Sequence, residues 1–215
     1  MKIRIPDIAA AEVDVIVFDL GGVILDVDLR RSVEALKALN AEGVGVQDVL
    51  AENASVFRDL ELGLVTPEEF TRAFRECYPA ARGVSDAGIW DAWNAMLMPF
   101  DAERVELLRG LGRQGRVCLL SNTNLPHRIR FRELFRERFE GGFDDLFEQC
   151  YYSDELHLRK PDPEIFRHVA ARIDVAPGHI LFIDDNAANI AAARSEGWQV
   201  CHLTGGKRIT DLFEL

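Results

Sequence analysis

Apolar side chains along this chain gather in short runs, separated by longer stretches with helical spacing. The runs fall at residues 15–18 (VIVF), 116–120 (RVCLL), 147–152 (FEQCYY), 179–183 (HILFI) and 198–203 (WQVCHL). Most lack the alternation of a half-exposed strand and are rich in Val, Ile and Leu, as strands covered on both faces are. Between them, residues 102–111, 126–139, 161–173 and 187–196 place apolar positions one helical turn apart. Such alternation predicts an α/β fold, with a parallel sheet and helices on both sides. Gly197 is placed to end the last of these helices.

Residues 27–99 break the rhythm and read as helices only, at 29–39, 46–60, 67–77 and 86–98. Thr66, Pro67 and Glu69 form a helix-start signature, and Gly63 can stop the helix before it. A helical block after the first strand of a parallel sheet predicts an inserted second domain.

Composition narrows the function. The 215 residues carry a net charge of −11, which argues against nucleic acid and against an anionic membrane surface as partners. No stretch reaches the length of a membrane span, and the opening MKIRIPDIAAAEVD lacks a signal peptide's apolar run, so a cytoplasmic protein is expected. The cysteines, 77, 118, 150 and 201, lack paired spacing and read as free thiols. The five histidines show no metal-ligand spacing. Monomer and homodimer are both left open.

Candidate chemistry lies at the ends of the expected strands, where open parallel sheets place their ligands. The first run ends in Asp19, the second in Ser121-Asn122-Thr123-Asn124 and the fourth in Asp184-Asp185-Asn186, while Lys160 follows the third, before a helix that Pro161 can open. Taken singly, each residue reads equally as a cap, a turn former or a surface lysine. Together, at the ends of four strands, they describe a site. Asp19, Asp184 and Asp185 form an oxygen-only set that suits Mg²⁺ rather than zinc. Lys160 and the Ser121 hydroxyl add a charge and a donor. The result is a cradle for a phosphoryl group, with a carboxylate able to attack phosphorus.

These residues resemble the four motifs of the haloacid dehalogenase superfamily: FDLGG at Asp19, LLSNTN at Ser121, RKPDPEIF at Lys160 and FIDDNAANI at Asp184 and Asp185. DLGGVILDVD, LSNTN, RKP and DDNAANI resemble more closely its bacterial α-D-glucose-1-phosphate phosphatase branch. The resemblance implies a Rossmann-like three-layer core of residues 1–26 and 100–215 and an all-helical cap of residues 27–99. It further implies a Mg²⁺-dependent phosphatase acting on a small phosphate ester such as a sugar 1-phosphate. In that scheme Asp19 attacks phosphorus, Ser121 holds a phosphate oxygen and Lys160 neutralises charge. Gly22 and Asn122 also approach the phosphate. Asp19, the Gly21 carbonyl, Asp184 and Asp185 surround the metal, with Asp184 direct or through water.

One position departs from the family. Gly21 stands where most of its phosphatases carry the Asp that protonates the leaving oxygen. This loss implies better turnover of sugar 1-phosphates and aryl phosphates than of primary-alcohol esters. It also keeps open a 2-haloacid dehalogenase, whose reaction gives the acidic pair no work, and a catalytically weak phosphometabolite- or partner-binding protein. Cap residues Arg58, Glu61, Trp90 and Asn94 are candidates for specificity. Residues 28–98 hold seven basic and twelve acidic side chains, a net of −5, so monophosphates are expected over more highly charged esters.

Overall fold

The structure, a computed structural model, describes residues 2–41, 43–45 and 56–215. The two ends of the chain meet: β1 (Lys2–Ile3) runs antiparallel to β7 (Phe213–Glu214), with Ile3 opposite Phe213. This pairing has no counterpart in the sequence reading, because two residues are too few to show a period.

The main sheet contains β2 (Val15–Phe18), β3 (Arg116–Ser121), β4 (Gln149–Tyr152), β5 (Ile180–Asp184) and β6 (Gln199–His202). Its order is β4-β3-β2-β5-β6, and every pairing is parallel. All four β2 residues are buried because alternate side chains enter different cores. Ile16 and Phe18 join one cluster and Val15 and Val17 the other. The first face is covered by Val105, Leu108, Phe131 and Phe135, and the second by Phe166, Val169, Ile190 and Trp198. Helices on both faces of a parallel sheet make the three-layer, Rossmann-like α/β arrangement that the alternation predicts.

Residues 29–94 contribute the helices α1 (Leu29–Ala38), α2 (Val56–Glu61), α3 (Pro67–Cys77) and α4 (Asp86–Asn94). Residues 46–55 of the expected 46–60 helix lie outside the described residues. Phe57, Phe70, Phe74, Ile89 and Trp93 form a third core, separate from the two sheet faces. Thr66 and Glu69 close the expected capping box. Gly63 adopts φ +61°, and Leu64 N–H bonds back to the Asp59 carbonyl, a Schellman end to α2. A Cβ at Gly63 would also strike the Asp154 carbonyl, so the turn lies directly on the core. The fourth helix stops at Asn94 rather than residue 98. Its continuation pairs with the outgoing chain, since Asp28 N–H bonds to the Met96 carbonyl and Met98 N–H to that of Asp26.

The remaining helices are α5 (Ala102–Gly112), α6 (Leu125–Arg136), α7 (Ser153–Leu156), α8 (Pro163–Ile173) and α9 (Ala187–Ser195). Pro161 does not open α8, contrary to the sequence reading. Asp162 caps it by accepting from Glu164 N–H, and Pro163 takes the first turn. The residue before a proline is held out of the helical region, which fixes Asp162 as the cap. Gly197, at φ +83°, ends α9 as expected. No helix among the described residues is long and apolar enough to cross a membrane.

Candidate active site

Asp19 immediately follows β2, and its N–H bonds to the Ile183 carbonyl, which continues the ladder with β5. The register brings Asp184 to the same end of the sheet, one strand away. Asp19 is 9% exposed and Asp184 fully buried. Lys160, 1% exposed, lies between them with Nζ 2.8 Å from Asp19 Oδ1 and 2.8 Å from Asp184 Oδ2. Burial alone would lower the lysine pKa, but the charges of Asp184 and Asp19 outweigh it and hold the ammonium above its ordinary value. Burial pushes the Asp19 pKa up to about 7; Lys160 opposes the rise, and Asp184 and Asp185 add to it. Desolvation and the Asp184 charge likewise raise the exposed Asp185.

Asp19, Asp184 and Asp185 each offer an oxygen, all within 4.8 Å of one another. Their roles are not equal. Both Asp184 oxygens accept from the Asn189 amide, one also from Asn186 N–H and the other from Lys160. Asp185 faces the opening. Gly22, at φ +72°, lets the turn after β2 pass close beside it, and a Cβ there would collide with the Asp185 carboxylate. The donor set is therefore compact, all oxygen and cleared of side-chain obstruction, which fits a small hard cation.

Ser121 ends β3, and its buried hydroxyl donates to the Asn122 carbonyl at 3.3 Å. The Asn122 amide does something the sequence does not reveal. Its Nδ2 donates to the Lys160 carbonyl at 2.8 Å, and its Oδ1 accepts Lys160 N–H at 2.9 Å. This two-point clasp fixes the lysine backbone 38 residues away. In this geometry the Asn122 side chain positions Lys160.

The cleft over these groups has a volume of about 590 Å³ and is lined by Gly21, Gly22, Ser121, Asn122, Lys160 and Asp185 at its base. Of the four cap candidates, only Glu61 lines it. Trp90 stacks on Phe70 inside the helical core, Arg58 is exposed away from the cleft, and Asn94 lies outside its wall. Glu61 accepts from Arg159 Nη2 at 2.8 Å. Burial pushes its pKa up to about 7, against the lowering by Arg159 and Lys160.

Sequence reasoning missed His127 and Trp93. Their rings stack at 4.9 Å and 8°, joining α4 to α6 in the cleft wall. His127 Nδ1 faces the Asn124 amide at 3.3 Å and Nε2 faces the Trp93 carbonyl at 3.4 Å, a pattern that fits only a neutral ring protonated on Nε2. Burial lowers its pKa to about 4. A depressed histidine pKa gives stability that is full above the unfolded value of about 6.5 and fades as pH falls toward 4. Relative to His127→Phe, the wild type should therefore lose about 2 kcal/mol between pH 7 and pH 5. Urea unfolding at both pH values measures the difference, and an unchanged gap would rule out a neutral buried imidazole.

A family model for haloacid dehalogenase-like hydrolases matches residues 13–197. The chain belongs to this family. A solved haloacid dehalogenase family enzyme of Bacteroides thetaiotaomicron, in complex with magnesium and inorganic phosphate, is 31% identical. The match covers 94% of this chain and 100% of that one, with a TM-score of 0.83. D-ribitol-5-phosphate phosphatase of the same organism is 29% identical over 86% of this chain and 88% of its own. A sesquiterpene phosphatase of Aspergillus oryzae is 29% identical over 87% and 88%. This haloacid dehalogenase-like hydrolase thus shares its fold with a structure that holds magnesium and phosphate.

Proposed function

We propose that this hydrolase is a Mg²⁺-dependent phosphomonoesterase that forms an aspartyl-phosphate on Asp19 and acts on a small phosphorylated sugar or polyol. The observation carrying this reading is Lys160, buried between Asp19 and Asp184 beside the exposed Asp185. Asp19 attacks phosphorus, the Ser121 hydroxyl receives a phosphate oxygen, and Lys160 offsets the charge of carboxylate and phosphoryl group together. Asp19, the Gly21 carbonyl and Asp185 would hold Mg²⁺, with Asp184 acting through water and through Lys160, since its oxygens are already engaged. When bound, Mg²⁺ supplies positive charge to the phosphoryl oxygens. A dehalogenase reading leaves Asp185 without a task, and no feature of the site favours it.

In this reading residues 27–99 form the cap, with α1–α4 as its described helices. Among the described residues, Arg159 and Lys160 are the cleft's basic side chains, and both are already paired with carboxylates. Monophosphates are therefore expected over bisphosphates and nucleoside triphosphates. Substrate identity within this class is open to two constraints. Gly21, with no other proton donor in the site, would favour esters with good leaving groups, such as the sugar 1-phosphates suggested by the glucose-1-phosphate phosphatase resemblance. D-ribitol 5-phosphate, named for one relative, is instead an ester of a primary alcohol.

A panel of phosphate esters assayed for phosphate release, with and without Mg²⁺, tests the proposal. Activity should vanish in excess chelator. Asp185→Asn should reduce it by more than about 10²-fold, since even outer partners of metal ligands are worth roughly 10–100-fold. Full activity in chelator would overturn the reading.

A further inference from the structure

Gly21 leaves the leaving oxygen without its usual proton donor, and the cleft offers few replacements. Asp26, the next acid after Gly21 along the chain, turns away to accept from Arg104 Nη1 at 2.7 Å and does not line the cleft. His127 lines it, but both ring nitrogens are engaged by Asn124 and Trp93. Among the described residues, the wall presents two carboxylates, Asp185 and Glu61. Asp185 sits with the metal-binding set.

Glu61 remains, and it is firmly held. Its Oε2 accepts from Arg159 Nη2, while its carbonyl accepts from the Ser153 hydroxyl at 2.7 Å. The next carbonyl, of Leu62, meets His157 Nδ1 at 2.8 Å, and the Gly63 turn lies against Asp154. The end of α2 is thus docked on α7 and carries a carboxylate over the cleft. Among the described residues, Glu61 Oε1 has no hydrogen-bond partner.

We infer that Glu61, from the helical cap, is the catalytic acid and base of the phosphatase reaction, in place of the residue missing at Gly21. The inference rests on the phosphatase reading. In the first step an Asp19 oxygen bonds to phosphorus and the bond from phosphorus to the ester oxygen breaks. The electron pair stays on that oxygen, which takes the Glu61 proton and leaves as the alcohol. In the second step water bonds to phosphorus and gives its proton to the Glu61 carboxylate, while the bond to Asp19 breaks and its pair returns to Asp19. Among the described residues, the charged groups facing Glu61 are Arg159 and Lys160. Arg58 and Asp59 share its helix, and Asp154 and Glu155 of α7 are paired with Arg128. A carboxyl titrating near 7 suits both proton transfers, since catalytic acids work best near the operating pH.

The test compares kcat/KM for butyl phosphate and 4-nitrophenyl phosphate with Mg²⁺ present. Wild-type kcat/KM for the butyl ester should fall above about pH 7, while the nitrophenyl ester, whose leaving group needs no proton, should not follow it. Glu61→Gln should cost the butyl ester about 10²–10⁴-fold and the nitrophenyl ester less than about tenfold. Because water loses its base as well, the variant should release one equivalent of nitrophenol in a burst before a slow steady state. Gly21→Asp added to Glu61→Gln should restore the butyl ester, since a Cβ at Gly21 meets only Val27 at ordinary contact distance. Equal losses on both esters, without a burst, would assign Glu61 a structural role and overturn the inference. If Glu61→Gln does not fold, the two wild-type pH profiles decide, and parallel profiles refute it. A wild type inert toward 4-nitrophenyl phosphate would bring down the phosphatase reading itself, and this inference with it.

Discussion

Asp19→Asn should abolish turnover, with a loss on the order of 10⁴–10⁶-fold, as removal of a covalent nucleophile does elsewhere. The amide keeps the shape of the side chain but has no oxygen able to take the phosphoryl group. Stability distinguishes this outcome from misfolding. A carboxyl whose pKa rises on folding from 3.8 to about 7 contributes stability that is full below about pH 4 and lost as pH rises through 7. In metal-free protein above pH 7, the charged Asp19 is therefore a net burden, and Asn removes it while Lys160 keeps Asp184 as partner. The variant should melt no lower than the wild type at pH 8 in chelator, yet be inactive with Mg²⁺. In the wild type, beryllium fluoride should bind as a phosphoryl mimic on Asp19, and a crystal showing it elsewhere would refute the assignment.

The frame of this site is legible in the sequence because strands buried on both faces leave a plain mark. Val15–Phe18 and Ile180–Asp184 are almost uninterruptedly apolar, and the polar residues that end such runs must lie at the sheet's rim. Asp19, Ser121 and Asp184 follow from that rule. The bonds that tune the site do not. The Asn122 clasp on Lys160 joins positions 38 apart, and the Glu61–Arg159 pair joins positions 98 apart. Neither has a local period, since each depends on how two finished elements dock. His127 stayed hidden for a related reason. A buried neutral imidazole stacked on Trp93 has no spacing signature, and its partners become visible only once α4 and α6 are placed side by side. The prolines mark the opposite limit. Pro161 and Pro163 both carry a helix-start signal, and only the side-chain cap from Asp162 decides between them.

Lys160→Met should destabilise the fold more than any other single change at this site. The ammonium is the shared partner of two carboxylates that are otherwise nearly sealed from water, and it also lies 5.3 Å from the centre of the Phe182 ring. Methionine can fill the stem's volume but leaves Asp19 and Asp184 facing each other unneutralised. Removing one partner of a buried ion pair costs about 3–5 kcal/mol. At 2–4 °C per kcal/mol for a chain of this size, that lowers Tm on the order of 10 °C. The sign of the pH dependence identifies the cause. Without the lysine, the carboxyls are held protonated to higher pH in the folded state, so stability is kept in acid and lost as pH rises. The deficit against wild type should therefore be small at pH 5 and large at pH 8. Adding Asp19→Asn to Lys160→Met should recover part of it, because one of the two unneutralised charges is gone. A deficit that is equal at both pH values and indifferent to Asp19→Asn would mean that Lys160 matters for its packing alone.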